Sequence, residues 1–402
     1  MMTYSYISHL SCSVCDLTFD DHEINQLCSC GAPLLVNYDL AKMKETTNKS
    51  DIGNRQPTLW RYHELLPIRN EENIVSLGEG MTPLIQTNKI GEDMSLNRLY
   101  IKDEGIIPTG TFKARGAAVG MSKAKELGIK QMAMPTNGNA GSAWSAYATR
   151  ANIKQTVVMP NDSPEITKKE CQLFNADVHI VDGLINDAGK IVKDHINDTG
   201  KYDVSTLKEP YRIEGKKTMG LEIAEQLDWT MPDVILYPTG GGVGLIGIYK
   251  ALKELKEIGW VTGKLPRLVA VQSTNCAPIV KAWENGDTHS TIWKNSETIA
   301  FGINVPKALG DFLVLEAIEK TNGCAIAISD EDLLEEQQKV AAEEGLFICP
   351  EGAAVFSAAR QLKQQQWIHA DDVVICLNTG AGIKYPNTFD VDLPILNKND
   401  RL

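Results

Sequence analysis

The sequence predicts an α/β protein built on parallel sheets with helices on both faces. Three observations carry that expectation. From about residue 97 onward, short β-branched runs alternate with longer segments of helical period. Most of the runs are apolar on both faces, as strands covered from both sides must be. Polar, glycine-containing segments follow several runs at the points where helices begin.

The runs NRLYIKDE, QMAMPT, KQTVVMP, ADVHIVD, DVILYPT, RLVAVQS and DVVICLN read as strands. Between them, AGSAWSAYATRA from Ala140, PEITKKECQLFN from Pro164 and SDEDLLEEQQKVAAEEG from Ser329 read as amphipathic helices. Ser329 is a capping residue, and Glu331 and Asp332 place acids in the first turn, where the helix dipole favours them. Residues 41–70 carry no clear period and read as a connector with short helices. Neither an internal repeat nor a long Pro/Gly/Ser linker interrupts the chain.

At 402 residues the chain is long enough for two or three packed units. Its 52 acidic residues outnumber 40 basic ones, for a formal net charge of −12. Binding to nucleic acid draws its affinity from clustered Lys and Arg, so no nucleic-acid partner is expected. No run of about 18 apolar residues is present, and MMTYSYISHLSC lacks the basic and apolar regions of a signal peptide. The expected setting is cytoplasmic, with no membrane partner.

Four of the nine cysteines, Cys12, Cys15, Cys28 and Cys30, fall in the first 30 residues. Cys12 and Cys15 make a C-x2-C knuckle, and Cys28-Ser-Cys30-Gly31 supplies a second pair. Thiolates from two tight turns can close a tetrahedral zinc site, which holds together a segment too short to build its own core. The second pair departs from the usual spacing, so four free thiols are the alternative. The stretch from Ser11 to Gly31 contains no Lys or Arg, which argues for a structural metal over a nucleic-acid finger.

After DVILYPT comes Gly240-Gly241-Gly242-Val243-Gly244. Such a loop offers backbone N–H groups at a helix start, where the dipole also favours an anion, so a phosphate is its natural ligand. Gly242, Gly244 and Gly247 satisfy the dinucleotide spacing G-x-G-x-x-G. The next strand ends in Gln272-Ser273, without the acid a dinucleotide ribose needs, so a smaller phosphorylated ligand is favoured. Close helix–strand packing is the other use such glycines have.

Three further segments place polar groups at strand–helix junctions: PTGTFKARG at Pro108–Gly116, TNGNAG at Thr136–Gly141, and NTGAG at Asn378–Gly382. Open α/β sheets bind ligands at that end. A lysine shielded there by Phe112 has the setting for a lowered pKa and for work as a nucleophilic amine.

These segments, in this order and spacing, resemble the lysine motif, the asparagine loop and the phosphate loop of the tryptophan-synthase-β-like pyridoxal-phosphate enzymes, fold type II. The match runs from about residue 75 to 390. Within that superfamily GEGMTPL at Gly78–Leu84, YRIEGKKT at Tyr211–Thr218, LNTGAGIKYP and the zinc-ribbon-like extension resemble the threonine synthases. The resemblance implies a two-domain enzyme: a ribbon-like extension over 1–40, a connector and first part of a large domain over 41–116, a small mobile domain over 117–225, and the rest of the large domain over 226–402. It implies a homodimer, and pyridoxal 5′-phosphate as cofactor beside structural zinc.

The resemblance also implies roles. Lys113 carries the cofactor as a Schiff base and is the catalytic base. Asn139 bonds the cofactor's ring hydroxyl, Gly240, Gly241, Gly242, Val243 and Gly244 hold its phosphate, and Thr379 faces its ring nitrogen, a neutral partner that suits elimination and replacement. An amino-acid substrate then falls to Thr82, Thr111, Thr136, Asn137, Lys208 and Arg212. The reaction implied is O-phospho-L-homoserine plus water to L-threonine plus phosphate. Threonine and serine dehydratases, and cysteate or cysteine synthases, share the same motifs.

Two departures from the threonine synthase pattern bear on the substrate. An Asn-Ser-x-Asn segment usually precedes Arg-Leu-Glu-Gly-Gln-Lys-Thr in that family. Here Val204-Ser205-Thr206-Leu207-Lys208 precedes Arg212-Ile213-Glu214-Gly215-Lys216-Lys217-Thr218, leaving Lys208, Arg212 and Lys216 as cations for a dianion unless they form a solvated basic face. Glu351 in PEGAA stands where the family more often has a small residue.

Overall fold

The computed structural model describes residues 4–389 and 392–401. In chain order its strands are β1 (Ile7–Cys12), β2 (Thr18–Phe19), β3 (Leu34–Tyr38), β4 (Leu84–Gln86), β5 (Arg98–Asp103), β6 (Gln131–Pro135), β7 (Lys154–Pro160), β8 (Asp177–Val181), β9 (Tyr202–Asp203), β10 (Val234–Pro238), β11 (Arg267–Ser273), β12 (Cys324–Ile328) and β13 (Val373–Asn378). They form three sheets. The larger body sheet has the order β12-β11-β10-β13-β5-β4, parallel except where β4 meets β5. The smaller has the order β8-β7-β6-β9 and is parallel throughout. The ribbon sheet, β2-β1-β3, is antiparallel.

Each apolar run read from the sequence forms a strand, and the reason is visible in β10. Val234 and Leu236 enter the core layer that contains Phe356, whereas Ile235 and Tyr237 enter the opposite layer with Ile248 and Leu252. Both faces are covered, so both sets of side chains contribute about 1.5–3 kcal/mol each on burial. The strands that the runs do not signal have weaker patterns. β12 (CAIAI) is an edge strand with four half-buried positions, and β9 is two residues long. Ser329 caps its helix as expected, accepting from the Asp332 N–H at 3.0 Å.

Residues 41–70 carry the short helices expected of them, and these also pack. Helices at Leu40–Thr46 and Lys49–Ile52 and a 3₁₀ turn at Leu59–Leu65 bury Trp60, Tyr62, Leu65 and Leu66 in one core with the ribbon. A 3₁₀ turn has three residues per turn, so its buried set does not follow the 3.6 spacing that sequence periodicity detects.

Two helices set the floor of the site, Lys113–Glu126 and Arg212–Gln226. Their backbones touch: a Cβ on Gly215 would lie 2.0 Å from the Arg115 carbonyl oxygen. The crossing is locked by a fully buried ion network. Arg115 donates to Glu104 at 2.6 and 2.8 Å and to Glu222 at 2.5 and 2.7 Å, and Lys102 at the end of β5 donates to Glu222 at 2.7 Å. Burial by itself would raise the Glu222 carboxyl, but Arg115 and Lys102 bring it down to about 2.

A depressed carboxyl pKa stabilises the fold above the unfolded value near 4.5 and loses that contribution as pH falls through the folded value. Unfolding free energy of the protein should therefore drop between pH 4.5 and 2, with a flatter slope over that interval in Glu222→Gln. Arg115→Met leaves the buried Glu104 without a cation and Glu222 with Lys102 alone, and is expected to cost about 3–5 kcal/mol; denaturant titration reads both.

Candidate active site

A cavity of about 770 Å³ opens where the C-terminal ends of the two body sheets face each other. Lys113, Asn139, the loop Gly240–Gly244 and Thr379 all line it, so motifs dispersed over 270 residues of chain converge there. Lys113 is the first residue of its helix, with its amine 3.9 Å from the centre of the Phe112 ring. Burial lowers that amine to about 8; Glu351 opposes the shift and Arg212 adds to it.

Asn139 follows β6 and opens the helix Asn139–Ala151. Gly138 is the N-cap, at φ 146°, and Asn139 makes no capping bond. Its Nδ2 donates to the Tyr385 hydroxyl at 3.2 Å, and its Oδ1 is buried without a protein partner. Thr136 lines the cavity, but its hydroxyl is taken up by the loop, accepting from the N–H groups of Gly138 and Gly141 at 3.1 Å each. Asn137 lines the same wall, as does Thr111, whose hydroxyl is buried and unpartnered.

The glycine loop joins β10 to the helix Val243–Glu257. Gly242 is left-handed at φ 74°, and a Cβ there would lie 2.2 Å from Val314 Cγ2. Close packing and anion binding thus coincide: the tight turn that glycine permits also aims first-turn N–H groups, which lack intrahelical acceptors, into the cavity. Gln272, at the position where a dinucleotide fold needs an acid, donates to the Thr239 carbonyl at 3.0 Å and accepts from Ile279 at 2.8 Å. It braces the loop from behind.

Thr379 follows β13, and its carbonyl accepts from the Phe112 N–H at 3.0 Å, tying the last strand to the lysine motif. NTGAG leads into a short 3₁₀ turn, Gly382–Lys384, rather than the helix its sequence suggests.

One end of the cavity is cationic. Lys208 pairs with Asp203 at 2.9 Å. Arg212 lies 4.7 Å from the Trp144 ring, with its guanidinium bonded to Glu209 and to the Val204 carbonyl. Lys216 is buried, 4.3 Å from the Phe112 ring, with no carboxylate bonded to it. Burial, the charge of Lys113 and that of Arg212 hold its amine well below the usual lysine range. Thr82 is not part of this wall. Its hydroxyl donates to Glu104 at 2.6 Å and accepts from Arg115, so it belongs to the buried ion network behind the lysine helix.

Two lining residues had no role in the sequence reading. Tyr385 receives the Asn139 amide, and Phe301 stacks on Tyr385 with ring centres 4.8 Å apart. Tyr385 lies in the quoted segment LNTGAGIKYP; Phe301 lies in an aperiodic stretch that carries no signal.

A parallel α/β fold with a lowered lysine amine facing a glycine anion loop defines a pyridoxal-phosphate-dependent enzyme of fold type II. The family model described as "Pyridoxal-phosphate dependent enzyme" matches residues 75–380. Threonine synthases of Methanocaldococcus jannaschii and Methanosarcina acetivorans are each 34% identical over 377 and 382 residues, 94% of this chain and 93% of theirs. That of Halalkalibacterium halodurans is 31% identical over 85% of this chain and 95% of its own. The chain belongs to this enzyme family and, within it, to the threonine synthases. In fold it is similar to processed threonine deaminase isoform 2 of Solanum lycopersicum (TM-score 0.66, 19% identity, 77% of this chain and 87% of that one) and to maize serine racemase (TM-score 0.65, 21% identity, 75% and 88%).

The residues fit the cofactor that the family implies. The Lys113 amine, the unpartnered Asn139 Oδ1 and a glycine cradle that side chains would fill supply what a phosphorylated aldehyde needs. The ribbon likewise fits zinc. The sulfur atoms of Cys12 and Cys30, and of Cys15 and Cys28, are 3.5 Å apart, and those of Cys15 and Cys30 are 3.9 Å apart. Tetrahedral zinc with bonds of about 2.3 Å sets sulfurs about 3.8 Å apart. Among the described residues no helix is long and apolar enough to cross a membrane.

In cofactor-free protein, acylation of Lys113 should rise with pH around a midpoint near 8, well below ordinary lysines, when followed by mass spectrometry. The purified chain is expected to hold one zinc ion per chain by elemental analysis. Chelation or Cys15→Ser should raise hydrogen exchange across 7–38 and leave the visible absorbance of bound cofactor in place.

Proposed function

We propose that this chain is a carbon–oxygen lyase acting on a phosphate ester, converting O-phospho-L-homoserine and water to L-threonine and phosphate. The observation that carries the reading is the cationic end of the cavity facing the lysine. Lys216 has no carboxylate bonded to it, Arg212 lies beside it, and both are buried. A buried cation without a counter-charge is costly unless the ligand supplies one. A phosphate dianion does; the hydroxyl of threonine or serine does not.

Lys113 would hold pyridoxal phosphate, with Asn139 available to its ring hydroxyl, Gly240–Gly244 to its phosphate and Thr379 to its ring nitrogen. When bound, pyridoxal phosphate supplies an electron sink that makes the protons on the substrate's α- and β-carbons labile. The Lys113 amine would take the α-proton and then a β-proton of the substrate, and an amine near 8 suits both uptake and return of a proton at neutral pH. Thr111, Asn137 and the start of the Asn139 helix bind the substrate carboxylate. Lys208, Arg212 and Lys216 hold the substrate phosphate through its departure, after which water adds at Cβ. Lys216 thereby takes over a task that asparagines perform in the usual family pattern.

The test is a panel of O-phosphohomoserine, O-phosphoserine, threonine and serine, scored for phosphate and for ammonia. Phosphate release from O-phosphohomoserine with formation of threonine is expected. Ammonia from threonine without phosphate release from any substrate would overturn the reading in favour of a dehydratase. Lys216→Gln should raise KM for O-phosphohomoserine about 10-fold or more, the value of one charge-assisted hydrogen bond.

A further inference from the structure

Among the described residues the cavity carries one carboxylate, that of Glu351, with several lysines and an arginine. Glu351 is the second residue of the helix Pro350–Gln364. Its Oε1 accepts from the Gly302 N–H at 2.7 Å. Its Oε2 is buried and has no partner among the described residues. A buried carboxylate oxygen without a donor is unfavourable, so this oxygen is built to receive a donor that appears in the cavity.

The charged and titratable groups around this corner come from four elements. Lys113 stands on its own helix, Arg212 and Lys216 on the helix opposite, Cys349 at the cap beside Glu351, and Tyr385 on the carboxy-terminal segment. Arg212 is committed to Glu209 and the Val204 carbonyl, and the Cys349 sulfur donates to Asn378 and caps Gly352; the Tyr385 hydroxyl accepts from Asn139, which leaves its proton to Glu351 and the carboxylate's further lone pairs to a second donor. Lys113 and Lys216 both lie over the Phe112 ring, and of the two it is the Lys113 amine that the charge of Glu351 reaches, with a smaller effect from Cys349.

We propose that Glu351 is a positioning residue for Lys113, its Oε2 accepting a hydrogen bond from the ammonium that forms when the lysine has taken a proton from a substrate carbon. The inference rests on the role given to Lys113 above. In that step the C–H bond breaks, its electron pair stays with the substrate, and the proton forms a new N–H bond on Lys113. Glu351 gives the loaded ammonium one orientation between departure from one carbon and delivery to the next, and it keeps the amine from being stripped of its proton by the surrounding cations.

Holoenzyme carrying Glu351→Gln or Glu351→Asp tests this. The visible absorbance of the lysine-bound cofactor is titrated against pH, and the entry of solvent deuterium at Cα of O-phosphohomoserine is followed by mass spectrometry. In Glu351→Gln the absorbance midpoint should move about one pH unit lower, since the nearest negative charge is gone, and deuterium entry should slow about 10-fold or more. In Glu351→Asp the midpoint should stay near that of the unaltered enzyme while exchange slows. An unmoved midpoint in Glu351→Gln, or unslowed exchange in either variant, overturns the proposal. If Glu351→Gln fails to fold, exchange in Glu351→Asp decides alone. A Lys113→Ala protein that keeps the lysine-bound absorbance would overturn the role of Lys113 itself, a separate failure from that of Glu351.

Discussion

The buried charge network of Arg115, Lys102, Glu104 and Glu222 is the constraint on which the site depends. Each of these groups is taken out of water, which is unfavourable, and the expense is offset by short, multiply bonded pairs. The geometry that satisfies them admits one arrangement of β5, the lysine helix and the Arg212 helix. Because Gly116 and Gly215 bring the two helices into backbone contact, the lysine at the first turn of one and the cations at the first turns of the other face a common space. Thr82, buried in the same network, contributes to the site by holding this frame in place.

The cavity is an electrostatic device whose two ends differ. One is a group of buried bases, Lys113, Arg212 and Lys216, whose proton affinity burial lowers; the charge of Arg212 lowers both lysines further, and that of Lys113 lowers Lys216. The other holds neutral hydrogen-bonding groups, Asn139, Tyr385 and Thr379, with the single carboxylate of Glu351. Such a site is preorganised for a polyanionic ligand and strains without one, which makes ligand charge the basis of selection. The chain's net charge of −12 is carried elsewhere, so the pocket's sign is opposite to that of the whole molecule.

The amino-terminal ribbon is joined to this machinery from outside the cavity. Gln26 donates to the Asp203 carbonyl at 2.6 Å, and the Asp203 carboxylate holds Ser205 and Lys208 on the cavity wall. Tyr38, at the end of β3, donates to Glu214 at 2.8 Å on the Arg212 helix. The ribbon shares a hydrophobic core with the lysine helix through Leu10, Leu34, Val36 and Val119. It is an integral brace, and the absence of Lys and Arg among its knuckles is consistent with that structural role.

Sequence by itself determined the α/β class, most of the strands and, Thr82 apart, the singled-out residues that line the cavity. Those signals are local: apolar runs, glycines in turns, a lysine beside an aromatic ring, and paired cysteines. The resemblance to a family added their roles. Other features had no local signal. Glu351 and Gly302 meet only because the start of the helix Pro350–Gln364 and the 3₁₀ turn Phe301–Ile303 arrive at one cavity edge, and Tyr385 reaches Asn139 across 246 residues. Thr82 reads from its motif as a substrate contact, yet the fold sends its hydroxyl behind the lysine helix. Charge neighbours, burial and unpartnered atoms are properties of convergence in space, and a list of residues in chain order does not contain them.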